Sequence, residues 1–192
     1  MERFTQQFAL TPYERPHRQA VLDLLFQSTR IHTHLDWHET ASWLDSHDVP
    51  IRLAWLDDGR LAAIMAASEI MDGMCWLRLI AVADSVSAQA VTPPLWDALA
   101  GDLRRTGANR VHILVINDWL EEQVQRRLGF EVIEEIVTLK RDGPNLPPYN
   151  PYSKGAPVIR MAEDGDLRVM AEVDQIAFQP PWQLTRADLW QA

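Results

Sequence analysis

Apolar and polar positions alternate in short blocks along the chain, and their spacing predicts the elements. Residues 8–11 read as a strand closed by Pro12. Val21, Leu22, Leu24 and Leu25 recur at helical spacing and predict a helix over 14–29, with Pro16 in its first turn. Residues 30–35 have no clear period and read as irregular. Asp36 then caps a second helix bearing Trp37, Trp43 and Leu44, which Val49-Pro50 ends. Alternation over 51–56, the turn signal Asp57-Asp58-Gly59, an apolar run over 61–68, the turn Asp72-Gly73 and a run over 75–83 predict three strands. Residues 79–82 are apolar on both faces, as a central strand requires. A helix over 93–105 follows, with Thr92 as cap, Pro93 and Pro94 in its first turn and Gly107 as its stop. The pattern closes with a strand over 110–116, a helix over 118–128 stopped by Gly129, and strands over 130–134 and 136–140.

This order predicts an α/β domain with a mixed central sheet and flanking helices over residues 4–142. Residues 143–157 are proline-rich and almost free of aliphatic side chains, which is linker chemistry. Beyond them, 158–161 read as a strand, and Leu167, Met170, Val173 and Ile176 form the stripe of a helix broken at Pro180-Pro181. This tail repeats the element order of the first 45 or so residues about 150 positions later, so 158–192 read as the opening segment of a second module. A segment of that size cannot bury its own stripe. The expectation is that it packs on the first domain or pairs with a second copy of the chain.

Composition narrows the function. The chain has 192 residues and a net charge of −9, so no broad basic face is available for phosphates or anionic lipid, and nucleic-acid or membrane partners are not expected. Cys75 is the single cysteine and stands in an apolar run, which fits a reducing, cytoplasmic setting. No run approaches the roughly 20 apolar residues that span a bilayer.

One block carries a more specific signal. The strand residues Trp76-Leu77-Arg78-Leu79-Ile80-Ala81-Val82 lead through a loop and a helix to Arg104-Arg105-Thr106-Gly107-Ala108. The strand 111–116 follows, and then Arg126-Arg127-Leu128-Gly129-Phe130. This series resembles the acetyl-CoA-binding core of the GNAT superfamily of N-acetyltransferases over residues 8–140, and 177–182 resemble the entry of another such domain. The resemblance implies that Leu79, Ile80, Ala81 and Val82 offer main-chain groups to pantetheine. It also implies that a glycine-rich loop at a helix N-terminus holds the pyrophosphate, where unpaired N–H groups and the helix dipole suit an anion. An amine then attacks the thioester, and a tyrosine on the next helix protonates the leaving thiolate.

The residues at those positions depart from the family pattern. The loop positions are Ser87, Ala88, Gln89, Ala90, Val91 and Thr92, with alanine and threonine where glycines are usual. The tyrosine position holds Gln125, and an amide is no proton donor of useful pKa. Asn117 matches a cofactor-contacting asparagine. No catalytic residue is assigned. Acetyl-CoA is the implied cofactor, with weak or absent binding expected because Pro93 and Pro94 lack N–H groups at the helix start. Two functions compete: acetyl transfer to a small-molecule or peptide amine, and a non-catalytic GNAT domain supporting a catalytic partner. The partner would be a second copy or a missing C-terminal GNAT half.

Other polar features read more simply. His34 and His38 stand at helical i,i+4 spacing, but no third ligand follows and no zinc is expected; contacts to a substrate suit the stretch 31–39 better. Glu69 and Asp72 stand where a carboxylate base is sometimes kept, though turns are often acidic. Trp37, Trp43, Trp55, Trp76, Trp96 and Trp119 read as core, and Glu121, Glu122, Arg126 and Arg127 as a solvated helix face.

Overall fold

The computed structural model describes residues 7–34, 44, 49–116, 118–136, 160–179, 182–184 and 186–191. The elements in order are β1 (Ala9–Pro12), a 3-10 turn (Arg15–His17), α1 (Arg18–Gln27), β2 (Arg30–Thr33), β3 (Ile51–Trp55), β4 (Leu61–Ala67) and β5 (Met74–Val82). They continue with α2 (Ala88–Arg105), β6 (Arg110–His112), α3 (Asp118–Arg126), α4 (Leu167–Ala177) and α5 (Arg186–Gln191).

Six strands form one mixed sheet in the order β1-β3-β4-β5-β2, with β6 also on β5. All pairs are antiparallel except β5–β6. The central strands carry apolar side chains on both faces because helices cover both. Met65, Ile80 and Val82 meet Val91, Leu95 and Leu99 of α2, together with Leu120 and Val124 of α3. Ile64, Leu79 and Ala81 face the other way, toward Val21 and Leu24 of α1. The two-sided run at 79–82 is thus a central strand, as its pattern predicts.

The turn into β5 is equally sequence-determined. Asp72 and Gly73 both have positive φ, and Met71 and Met74 exchange two main-chain bonds of 2.8 Å around them. This is the two-residue hairpin that Asp-Gly favours. At Gly73 a Cβ would lie 2.6 Å from Asn109 Nδ2, and the Gly73 carbonyl accepts from the N–H groups of Asn109 and Arg110. The turn therefore sets where β6 begins.

Four expectations need correction or placement. Residues 30–33 are a strand, β2, rather than irregular chain. Helix α2 starts at Ala88, so Pro93 and Pro94 lie inside it and Thr92 is no cap. Residues 113–116 and 130–136 form no ladder among the described residues, so the strand predicted over 110–116 is confined to β6 and that over 130–134 is not formed. The predicted second helix lies outside the described residues except for Leu44, which is buried against the α1 side of the sheet.

The tail helix α4 buries Leu167 and Ala171 but leaves Val173 and Ile176 60% and 84% exposed. Its tie to the domain runs through Trp182, whose ring lies 5.1 Å from that of Trp76 and whose Nε1 donates to Glu134 at 2.9 Å.

Candidate functional site

Strand β5 has two edges. One is taken by β4 over residues 77–82. On the other, β6 runs parallel to β5 only from Met74 to Trp76. Past that point the two strands no longer pair, which leaves the rest of the outer edge of β5, here called the wedge, to another partner. Among the described residues this is where an extended ligand would find main-chain groups of a central strand.

The chain itself fills the wedge. β2 runs antiparallel along the same edge, pairing Arg30 with Val82, Ile31 with Ala81, His32 with Ile80 and Thr33 with Leu79. The His34 N–H donates to the Arg78 carbonyl at 2.8 Å. Antiparallel ladders alternate bonded and non-bonded pairs, so His32–Ile80 and Arg30–Val82 fall in the same bonding phase. The outward main-chain groups of Arg78, Ile80 and Val82 therefore meet β2.

Side chains fasten the insert at both ends. At its start, Arg30 Nη2 donates to the carbonyls of Ala83 and Val86 at 2.7 and 2.8 Å. The N–H and hydroxyl of Thr29 donate to the Asp84 carboxylate at 3.1 and 2.9 Å. Those two bonds from Thr29, with the Arg30 guanidinium adding to them, hold the Asp84 carboxyl below its ordinary range. At the other end the His34 ring stacks on Trp76 with centroids 4.3 Å apart. Burial, then the charge of Arg78, then His32 lower the His34 pKa to about 4, so the ring is neutral at physiological pH. His112 at the end of β6 meets Trp76 at 5.6 Å, and burial, then Arg110, lower its pKa too. His32 is completely buried beside Ile80.

The helix that follows also departs from expectation. Ser87 is the N-cap, and its carbonyl accepts from the N–H groups of Ala90 and Val91 at 3.0 and 3.1 Å. The N–H groups of Ala88 and Gln89 fall in the first turn, where donors lack intrahelical partners. The prolines sit one turn further in, and what they remove is the bonding of the Gln89 and Ala90 carbonyls. Both residues are exposed, so those carbonyls lie where water can satisfy them. Thr92 is buried, its hydroxyl donating to the Ala88 carbonyl at 2.8 Å. Proline therefore does not strip this helix start of donors.

The remaining sequence-derived candidates are scattered. Gln125 lies on the solvent side of α3, donating to Glu121 at 3.2 Å, and Glu122 pairs with Arg126 there at 3.7 Å. Glu69 and Asp72 are exposed around the Asp72-Gly73 turn. His34 follows a strand instead of sharing a helix face; His38 and Asn117 lie outside the described residues. Trp55 donates to Thr11 at 2.9 Å and Trp96 packs on Phe130, while Trp76 forms the aromatic junction described above. The sequence pointed to substrate contacts for 31–39, but nothing marked 30–33 as a strand, since Thr-Arg-Ile-His-Thr-His has one aliphatic residue and no alternation.

The overall fold is similar to that of known structures. One is the aminoglycoside 6'-N-acetyltransferase AAC(6')-Iy in complex with a bisubstrate analogue of CoA, with a TM-score of 0.54 at 16% identity. It covers 71% of this chain and 99% of its own. The chain has the GNAT acetyltransferase fold. AAC(6')-Ih from Acinetobacter baumannii gives a TM-score of 0.54 at 17% identity, with 71% of this chain and 99% of that one covered. Ribosomal-protein-alanine N-acetyltransferase from Brucella melitensis biovar Abortus 2308 gives 0.52 at 11%, with 71% and 100% covered. No family model and no curated protein matches the sequence. At such identities the likeness fixes the GNAT fold, and the chemistry rests on the site.

Proposed function

We propose that this chain is a non-catalytic GNAT domain that supports a catalytic partner domain or subunit. The observation that carries the reading is the pairing of β2 with β5 at residues 79–82, the main-chain groups that pantetheine would need. An incoming pantetheine arm must break roughly five main-chain bonds, worth about 0.5–1.5 kcal/mol each. That opening cost lowers apparent affinity by about two orders of magnitude or more. Loss of glycine at Ala90 and Thr92 and of tyrosine at Gln125 points the same way.

The competing reading is acetyl transfer from acetyl-CoA to a small-molecule or peptide amine. It draws on the fold shared with AAC(6')-Iy and on the proline-free first turn at Ala88 and Gln89. Calorimetric titration with acetyl-CoA separates the two. The non-catalytic reading expects nothing tighter than high micromolar, and no thioester cleavage with amine acceptors present. A low-micromolar constant would restore the enzyme.

The tail gives the supporting role a physical handle. Its helix repeats the N-terminal one in detail: the His17 N–H donates to the Glu14 carbonyl and Asp166 to Glu163, 149 positions on, both at 2.8 Å. Each helix ends in an extended residue, Ser28 or Phe178. We read 158–192 as the first part of a second GNAT module, in a reducing, cytoplasmic setting that suits the buried thiol of Cys75.

A further inference from the structure

Strand β2 is short, polar and apart from the hydrophobic pattern that builds the sheet, yet it occupies the outer edge of the central strand β5. Resting on the non-catalytic reading above, we propose that β2 is a tethered competitor lying over a latent ligand edge. In this view the wedge beside Arg78, Ile80 and Val82 still accepts an extended amide-bearing thiol such as pantetheine once β2 is released.

Three observations support displacement over permanent fusion. First, β2 contributes one aliphatic side chain, Ile31, which is only half-buried. Beside the buried His32, much of its hold is main-chain bonding of a kind that any extended amide ligand can replace. Second, its fastening is electrostatic and partly solvated. Arg30 and Asp84 have side chains 25% and 46% exposed, and the Arg30 Nε lies 3.7 Å from the carboxylate. Third, the edge underneath belongs to the core. Leu79, Ile80, Ala81 and Val82 are held from both faces by α1 and α2 and from the far side by β4. Removing β2 thus bares a strand that other elements keep in place. Being part of the same chain, β2 acts at a high effective concentration, so a free ligand loses to it even when the intrinsic contacts are equal.

The test compares the whole chain with Arg30→Ala, which removes the bonds to the Ala83 and Val86 carbonyls, and with His32→Pro, which deletes a ladder N–H. Cooperative melting establishes that each variant folds; Arg30→Ala, at a partly exposed side chain, keeps the test open if His32→Pro does not fold. The probes are pantetheine and acetyl-CoA, titrated calorimetrically with amide exchange followed at residues 30–34 and 78–82. Pantetheine has no phosphate, so its binding reports the edge alone. The expected result is at least a ten-fold tighter constant for both probes in the folded variants, with new protection at Ile80 and Val82. No gain in a folded variant overturns the inference and leaves the non-catalytic reading intact. Low-micromolar acetyl-CoA binding to the unaltered chain, with protection lost at 30–34, sinks the non-catalytic reading yet supports the displaceable strand. The same binding with 30–34 still protected overturns both.

Discussion

The outer edge of β5 has two halves, and they are closed by different means. From Met74 to Trp76 the partner is β6, parallel, and begun by a glycine turn that Asn109 presses against. From Leu79 to Val82 the partner is β2, antiparallel, and fastened by Arg30, Asp84 and the His34 ring. The first half depends mainly on backbone conformation and close packing, with His112 as its one histidine, less buried than His34. The second depends on titratable groups. Trp76 marks the boundary, its ring touching His34 from one half and His112 from the other. An edge built this way has one fixed end and one conditional end.

The largest expected effect separates the halves by pH. The folded pKa of His34 is about 4, against 6.5 when unfolded, so between these values the unfolded or opened state binds more protons. Stability from the neutral ring is complete above about pH 6.5 and falls as pH drops toward 4, by on the order of 2 kcal/mol. Asp84 works in the same direction at lower pH: its contribution is present above 3.8 and lost as pH falls through its depressed folded value. Amide exchange at residues 30–34 should accelerate from pH 6.5 to 4, once corrected for the intrinsic rate, and by more than at residues 74–76, where His112 is the less buried histidine. His34→Phe should remove the upper step. Equal acceleration of both halves would mean that the edge opens as one unit.

A smaller effect is expected from the fixed half. Gly73→Ala forces a left-handed residue to carry a Cβ, about 1–2 kcal/mol, and pushes on Asn109. Gly59→Ala has a similar φ of 81° with nothing within 4 Å of the added atom. Urea unfolding should place Gly73→Ala below Gly59→Ala, with the added loss of protection confined to β6 and residues 74–76.

The two halves were unequally legible in the sequence. Asp72-Gly73 is a strong turn signal, and the two-sided apolar run at 79–82 announced a central strand. β2 was invisible because edge pairing uses main-chain groups that every residue has, while Arg-Ile-His-Thr offers neither alternation nor β-branched runs. The proline pair was misread too: Pro93-Pro94 fits a first turn by rule, but the helix begins a turn earlier, where the residues whose carbonyls lose a donor, Gln89 and Ala90, are exposed. Residues 130–136 show the converse. Phe-Glu-Val-Ile-Glu-Glu-Ile has strand composition, yet Val132 and Ile133 are 63% and 71% exposed and form no ladder among the described residues. The strand predicted beside this segment, over 136–140, lies outside the described residues beyond Ile136. The helices also separate pattern from burial. Val21 and Leu24 of α1 are buried on the sheet, while Met170 and Val173, 149 positions on, are 39% and 60% exposed. The tail has the helix without the sheet that buries it.

The smallest expected effect concerns that tail. Trp182 meets Trp76 at 5.1 Å with rings tilted by 54°, and such aromatic pairs contribute about 0.5–1.5 kcal/mol beyond their buried area. Its Nε1 bond to Glu134 is exposed and adds little. Trp182→Ala should therefore loosen α4 without unfolding the sheet. Exchange should quicken over residues 167–177 and remain unchanged at Ile80 and Val82. Trp76 also carries the stacked His34 ring, so Trp76→Ala should loosen both the tail and residues 30–34, and the two variants together should show no further loss at 167–177. If Trp182→Ala instead speeds exchange at 30–34 as much as at 167–177, the tail itself helps to hold β2 in the wedge. The conditional end of the edge would then answer to whatever covers α4.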